Sequence, residues 1–198
     1  MAVVIDLIGS TVIAAMILLS VFGLIGNLNH TTVEKTYCLN MQTNIVTLAR
    51  IVEYDLLKIG YHVSKPAILY ADSTSLSFKS DLHKSGDSVI VRYSLSDLLQ
   101  STVLATQNPR DRMFYREETG QPTIEANIGL TYLKFRYLDS LGVETTDLNA
   151  IRAIHVKIGI ESHDSMEVCT ETECTEDHTS AMMYDGSFWE KTIYPRNL

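Results

Sequence analysis

The chain has 198 residues, of which 45% are hydrophobic, and it carries a formal net charge of −8 at pH 7. That length accommodates one globular domain with an appendage, and it is sufficient to bury a core. The 16 Lys and Arg residues are scattered, which argues against a nucleic-acid-binding protein because phosphates are bound by clustered cations. Three cysteines are too few for a disulfide-dense scaffold.

The N-terminal segment is strongly apolar, and residues 7–26 contain no ionisable side chain. About 20 apolar residues in helical form span the hydrocarbon core of a bilayer. A cleaved signal peptide would have a basic region before a shorter apolar stretch, but no Lys or Arg precedes this run. We therefore expect residues 1–30 to form a transmembrane helix.

Asp6 is the one acidic residue before Glu34, and no Lys or Arg accompanies it. Burying a carboxylate without a partner in an apolar environment is costly. One interpretation places Asp6 at the membrane surface. The other has Asp6 meet a cation when helices pack together, and the nearest cation on a neighbouring copy is then the N-terminal ammonium. Such a pair would set the axial register between subunits, because an unpaired charge in an apolar bundle is penalised.

Three glycines, Gly9, Gly23 and Gly26, interrupt the apolar run. Each weakens a helix by roughly 1 kcal/mol relative to Ala. They permit close approach of a neighbouring helix, or local melting, or they are ordinary glycines of a transmembrane helix.

Helical periodicity continues through residues 31–60, although the composition becomes polar. Apolar side chains recur at steps of three and four, at Tyr37, Met41, Ile45, Leu48, Val52, Leu56 and Ile59. This spacing predicts one apolar stripe, which we expect to pack against the chain's own globular part. Gly60 is suited to end the helix, and Pro66 discourages its resumption. We expect the helix to run from about Ala2 to Ile59.

Residues 61–198 alternate apolar and polar side chains in four places, which predicts β-strands. The four segments are SLSFKS, SVIVRYS, TYLKFRYLD and IRAIHVKIGIES. A turn containing Gly86 separates the first two, and the turn DSLG follows the third. Such hairpins favour an antiparallel sheet with the helix stripe on one face. The predicted fold class is therefore α+β, with a long N-terminal helix on a β-rich globular head.

Motifs for catalysis are missing from the sequence, which contains no phosphate-binding glycine loop, no GxSxG and no HExxH. We expect no enzymatic activity and no cofactor. The acidic segment 161–178 contains Cys169 and Cys174, which would close a small disulfide ring in an oxidising compartment and leave Cys38 over; two free thiols are the alternative. The oxygen-rich segment also has the ligand types for calcium and, with its histidines, for zinc, but a solvated acidic loop needs neither.

Several parts of the sequence, which together cover most of the chain, resemble the type IV pilin-like family, which comprises pilins, minor pilins and the pseudopilins of type II secretion. Ile5, Asp6 and Leu7 match the family's pattern of an apolar residue, a carboxylate and an aliphatic residue, with Ala2 as the first mature residue and Asp in place of the usual Glu. The run LARIVEYDLLKIGY, the strands KFRYLDSLG and IRAIHVKIGI and the closing PRNL are similar to the group of minor pilin W and pseudopilin J. In that run the match rests on Arg50, Asp55, Leu56, Gly60 and Tyr61.

The resemblance implies a structural subunit of a helical filament, either a pilus or a secretion pseudopilus. Asp6 and Ala2 would act in assembly, Gly9 and the other two glycines in packing of the filament core, and the head would form the outer wall. The implied partners are copies of the chain or related pilin-like subunits, the membrane before assembly, and the assembly platform and ATPase. The implied location is the inner membrane first and the cell surface or an extracellular filament afterwards. The alternative is a binding or receptor domain tethered by a single helix.

Members of this family carry a short basic leader that a prepilin peptidase removes. Here only Met1 precedes Ala2. We expect either a processed chain whose register is shifted by one residue, or a chain without a leader in which removal of Met1 gives the free ammonium.

Overall fold

A computed structural model describes residues 2–96, 108–162 and 186–198, without the side chains of Ala2, Val3 and Asp6. Within these residues the chain forms one α-helix and eight β-strands. It divides into two compact units, Met1–Asn40 and Met41–Leu198.

Helix α1 covers Ala2–Leu57, close to the predicted span. In the second unit its stripe is buried as predicted, and the exposed fractions are 0–6% for Met41, Ile45, Leu48, Val52 and Leu56. Tyr37 departs from the predicted stripe, since its side chain is 37% exposed. The Lys58 and Ile59 amides donate to the carbonyls three residues earlier, at 3.1 and 3.2 Å. These tighter bonds end the α-helix two residues before Ile59.

Five strands form one antiparallel sheet in chain order. They are β1 (Ile68–Ala71), β2 (Leu76–Ser80), β3 (Val89–Leu95), β4 (Phe114–Glu118) and β5 (Ile124–Ala126). The predicted hairpin of β2 and β3 is confirmed, since Leu76 lies opposite Tyr93 and Phe78 opposite Val91. All four of these side chains are fully buried, so the alternation in the sequence marked the core face of this sheet.

Three further strands form a second antiparallel sheet in the order β6-β7-β8. They are β6 (Leu130–Leu138), β7 (Ala153–Glu161) and β8 (Gly186–Ile193). The two strands predicted here, β6 and β7, are confirmed and pair with each other. Their inward side chains, such as Leu133, Phe135 and Val156, are 0–2% exposed, whereas Lys134 and Arg136 face outward.

The second unit therefore has one core, built from the buried stripe of α1 and the inner faces of two sheets rather than one. The sheets are joined where the Phe135 amide donates to Ser73 O at 2.8 Å and Tyr137 Oη donates to Asp72 O at 2.8 Å. Burying a side chain such as Val52 or Leu56 completely contributes about 1.5–3 kcal/mol each. The α+β class, with a long N-terminal helix and antiparallel sheets, is confirmed.

Candidate functional site

The first unit presents an unusually large apolar surface. Large apolar side chains between Val4 and Leu28 are 43–71% exposed. By length and composition the helix is able to cross a membrane, since its most apolar 18-residue window has a mean hydropathy of 2.4. Exposed apolar surfaces of this extent mark contacts with a membrane or with other protein chains.

Hydroxyl groups on this apolar surface bond to the helix itself. Ser10 Oγ donates to Leu7 O, Thr11 Oγ1 to Ile8 O and Ser20 Oγ to Met16 O, each at 2.9 Å. A polar group in a lipid or protein interior must find a partner, and here the preceding turn supplies it. These three hydroxyl groups are therefore compatible with a dry environment.

The residues predicted to act in assembly lie in this helix. Ala2 and Asp6 belong to its first two turns, and the pairing of Asp6 with an ammonium stays a prediction. A Cβ built at Gly9, Gly23 or Gly26 would meet no described atom within 4 Å. A neighbouring helix would thus reach the backbone at these three positions, and their predicted packing role also stays a prediction.

A cluster of charged and polar side chains, here called the Asp55 cluster, joins α1 to the five-stranded sheet. It consists of Asp55, Tyr93, Arg116, Glu118 and His83. Asp55 is 2% exposed, and its Oδ2 accepts hydrogen bonds from Tyr93 Oη at 2.5 Å and Arg116 Nε at 2.8 Å. Arg116 Nη1 donates to Glu118 Oε2 at 3.0 Å, and the other carboxylate oxygen of Glu118 lies 2.5 Å from His83 Nε2.

Burial and the cluster's own charges shift three pKa values. Burial, together with the negative charge of Asp55, raises the pKa of Tyr93 well above its usual value. Burial alone would lower the pKa of Arg116, but the hydrogen bonds and charges of Asp55 and Tyr93 together outweigh it and raise that pKa. Burial would raise the pKa of Glu118, but the hydrogen bonds from His83 and Arg116 outweigh it and lower that pKa. The Asp55 cluster is therefore a largely buried network of charged and hydrogen-bonded side chains that anchors α1 to strands β3 and β4.

From the sequence, Asp55 is identified only as a residue that matches the family pattern, and no role is predicted for it. A usable signal was present, because Asp55 follows Val52 by three positions and so lies beside the buried stripe of the helix. A carboxylate at such a position requires a cation or several donors. The partners, Tyr93 and Arg116, are 38 and 61 residues away in the sequence, and no local pattern identifies them.

Most of the remaining predicted site residues lie outside the residues that the structure describes. Cys169, Cys174 and most of the acidic segment lie among residues 163–185, so the ring and its metal alternatives are outside the described residues. Cys38 is half-buried in α1. Across the described ranges, no group of three or more His, Cys, Asp and Glu side chains is arranged to hold a metal ion.

Comparison with known proteins gives one structural similarity. No family model matches the sequence, and no curated protein matches it. Among solved structures, the chain is similar to a type IV-like pilin from Thermus thermophilus, with 9% sequence identity and a TM-score of 0.47 over 79% of this chain and 97% of that one. Because fold does not determine function, the helix surface and the Asp55 cluster are the observations that bear on function.

Proposed function

We propose that the chain is a structural subunit of a helical filament of the type IV pilus or pseudopilus kind, held in a membrane by its N-terminal helix before assembly. The observation that carries this proposal is the exposed apolar surface between Val4 and Leu28. Each Å² of apolar surface in water costs about 25 cal/mol, so lipid or other protein chains must cover this helix.

Asp6 favours a filament over a simple anchor. An ordinary single-pass anchor has no need of a carboxylate near the end of its apolar run, where an unpaired charge is costly. In a bundle of copies, Asp6 pairs with the N-terminal ammonium of a neighbour, at Ala2 or Met1, and fixes the stagger between subunits. The three glycines let neighbouring helices approach closely.

In the filament the apolar helices form the core, and the β-rich heads form the outer wall. The Asp55 cluster suits this role, because its buried ion pair holds the last turns of α1 on strand β4 of the same compact unit. The partners are copies of this chain or related subunits, an assembly platform and its ATPase. The subunit resides in the inner membrane first and at the cell surface or in an extracellular filament afterwards. It is not an enzyme.

Electron microscopy of material sheared from cells that produce the full chain with its assembly machinery tests the proposal. We expect filaments containing the chain, and we expect Asp6→Ala to abolish them while the circular dichroism of the purified variant stays that of a folded protein. Cells without any such filament would overturn the proposed function and favour a membrane-tethered binding domain. Filaments at normal yield from Asp6→Ala would overturn only the role of Asp6.

A further inference from the structure

The outer face of the five-stranded sheet carries a row of four side chains from four neighbouring strands, here called the transverse row. It consists of Tyr70 of β1, Ser77 of β2, Arg92 of β3 and Glu117 of β4. Their Cα atoms are cross-strand partners in that order, Tyr70 with Ser77, Ser77 with Arg92, and Arg92 with Glu117. Because the side chains of cross-strand partners lie on the same face of a sheet, the four line up on the face opposite the buried core.

A recess with a volume of about 520 Å³ follows the transverse row, and all four side chains line it. Small-molecule sites typically have volumes of about 300–1,000 Å³. Ser77, the smallest of the four, is 9% exposed and forms the floor, whereas Tyr70 is 49% exposed beside it. Since neighbouring strands are about 4.8 Å apart, the row is roughly 14 Å long from β1 to β4. The recess is therefore large enough for a short oligomer and not only for a single ion.

One wall of the recess is built by the start of the turn between β4 and β5. The Gln121 amide donates to Glu118 O at 3.0 Å and closes this turn. The Thr119 amide donates to Ile90 O at 3.0 Å, and Thr119 Oγ1 accepts the Ile90 amide at 3.3 Å. Thr119, Gln121 and Ile90 all line the recess, so hydrogen bonds hold this wall in place before a ligand binds.

The transverse row contains two opposite charges that do not pair with each other. Opposite charges at cross-strand positions attract, yet within the described residues the Arg92 and Glu117 side chains make no ion pair or hydrogen bond. Glu118 also lines the recess, but Arg116 and His83 already bind its carboxylate. A guanidinium only donates hydrogen bonds and a carboxylate only accepts them. The recess thus offers a donor and an acceptor side by side, and together they carry no net charge.

Tyr70 and Ile90 supply the apolar part of the recess. Tyr70 lies on the edge strand of the sheet, and Ile90 is 40% exposed. The phenol ring presents a flat apolar surface with a hydroxyl group at its edge. A matching ligand combines apolar C–H faces with neighbouring hydroxyl groups that both donate and accept, which is the chemistry of a sugar ring. A charged ligand fits less well, because Glu117 repels an anion and Arg92 repels a cation.

We infer that the recess along the transverse row binds a neutral oligosaccharide. One sugar ring packs on the ring of Tyr70, and hydroxyl groups of the ligand accept hydrogen bonds from Arg92 and donate to Glu117. This inference goes beyond the proposed function and does not depend on it, because every residue that it uses lies in the second unit.

A glycan array that displays neutral and acidic oligosaccharides side by side tests the inference. The probe is the fluorescently labelled full-length chain in a detergent without a sugar headgroup, because a glycoside detergent would compete for the recess. We expect the chain to bind neutral oligosaccharides, and isothermal titration calorimetry then measures its affinity for the best of them. Raising the ionic strength from about 0.1 M to 1 M should leave this affinity unchanged, since the ligand carries no net charge to be screened.

Substitution of Tyr70 tests the contact with the sugar ring. Tyr70→Ala should weaken the affinity about tenfold, because it removes the apolar surface on which the sugar packs. Tyr70→Phe keeps that surface and should bind nearly as well as the wild type. The matched control is Tyr194→Ala, which removes a tyrosine that is 67% exposed outside the recess and should not change the affinity.

Substitution of the two charged residues tests the polar contacts without touching the core. Arg92→Gln and Glu117→Gln should each weaken the affinity about tenfold, because hydrogen bonds to charged groups are the stronger ones. Both side chains are exposed, so the variants should keep the melting temperature of the wild type.

Three results would overturn the inference. They are an array on which no neutral oligosaccharide is retained, binding of acidic oligosaccharides alone with an affinity that falls as salt is added, and unchanged affinity in both Tyr70→Ala and Glu117→Gln. Each is distinguishable from failure of the proposed function, because electron microscopy of the same chain detects filaments whether or not the recess binds a sugar. A chain that binds the neutral oligosaccharide but never forms filaments would leave this inference standing and overturn the proposed function.

Discussion

Arg116 of strand β4 donates a hydrogen bond from Nε to Asp55 Oδ2 of helix α1 at 2.8 Å, with both side chains largely removed from water. The same carboxylate oxygen accepts the Tyr93 hydroxyl at 2.5 Å. Removing one partner of such a pair leaves an uncompensated charge in the interior, which costs far more than the intact pair contributes. The end of the helix is thereby tied to one register on the sheet.

Substituting Asp55 by Ala should lower the free energy of unfolding by about 3–5 kcal/mol, because Tyr93 Oη and Arg116 Nε both lose their acceptor in the interior and only Glu118 still pairs with the guanidinium. Urea denaturation in mild detergent, followed by the fluorescence of Trp189, measures the loss. Glu53→Ala is the matched control on the same helix, since Glu53 pairs with Lys191 at 2.5 Å in a more exposed setting and should cost about 0.2–1 kcal/mol. Equal losses for the two variants would contradict the anchoring role of Asp55.

The helix and half of the strands were predictable because their patterns are local. The steps of three and four from Met41 to Leu56 predict a buried stripe, and Gly60, which has a φ of 76°, marks the end of the helix. Strands β2, β3, β6 and β7 carry alternating apolar side chains that lie in the core, such as Leu76 and Phe78 in β2 and Ile154 and Val156 in β7.

The other four strands lack that signal. In β4 the buried positions include Phe114 and Glu118. Because a carboxylate is normally expected at the surface, Glu118 hides the alternation that would predict this strand. β5 has three residues, too few for a period, and β8 exposes Phe188 on the outer face while Ile193 is buried. The candidate site is likewise only partly predictable. The apolar helix follows directly from the composition of the N-terminal segment, whereas the partners of Asp55 come close to it only in the folded chain.

Glu118 should make the second unit sensitive to acid. Its pKa in the folded protein lies below the usual value of 4.5, so its carboxylate stabilises the fold above that pH, and the contribution is lost as the pH falls through the folded-state pKa. Glu118→Gln should lower the free energy of unfolding by about 1–3 kcal/mol at pH 7. Its stability should then fall less than that of the wild type when the pH drops below 4.5. Urea midpoints measured between pH 7 and pH 3 test this, with Glu144→Gln, 63% exposed, as the control. Parallel curves for the wild type and Glu118→Gln would refute it.

Gly60 should tolerate no side chain, for two separate reasons. Its φ of 76° is in the left-handed region, and a Cβ there would lie 2.7 Å from Asn197 O, a backbone atom that cannot rotate away. Gly86 has a similar φ of 88° but open space around it. We expect Gly86→Ala to lower the free energy of unfolding by about 1–2 kcal/mol because of its backbone dihedral alone. Gly60→Ala should lower it by clearly more. Thermal denaturation of the two variants measures the difference, and equal melting temperatures would show that the C-terminal residues move aside without cost.

Asp6 should be required for its charge rather than for its size. If its carboxylate meets a neighbour's N-terminal ammonium, Asp6→Asn removes the attraction with almost no change in volume, and leaving that ammonium unpaired in the apolar bundle costs about 3–5 kcal/mol per contact. Asp6→Glu keeps the charge and adds one methylene, so it should still assemble. The amount of sedimentable filament, with electron microscopy to identify it, compares the three chains at matched expression. A carboxylate that merely lies at the membrane surface would let Asp6→Asn assemble as well as the wild type, because a neutral residue is less costly there than a charged one.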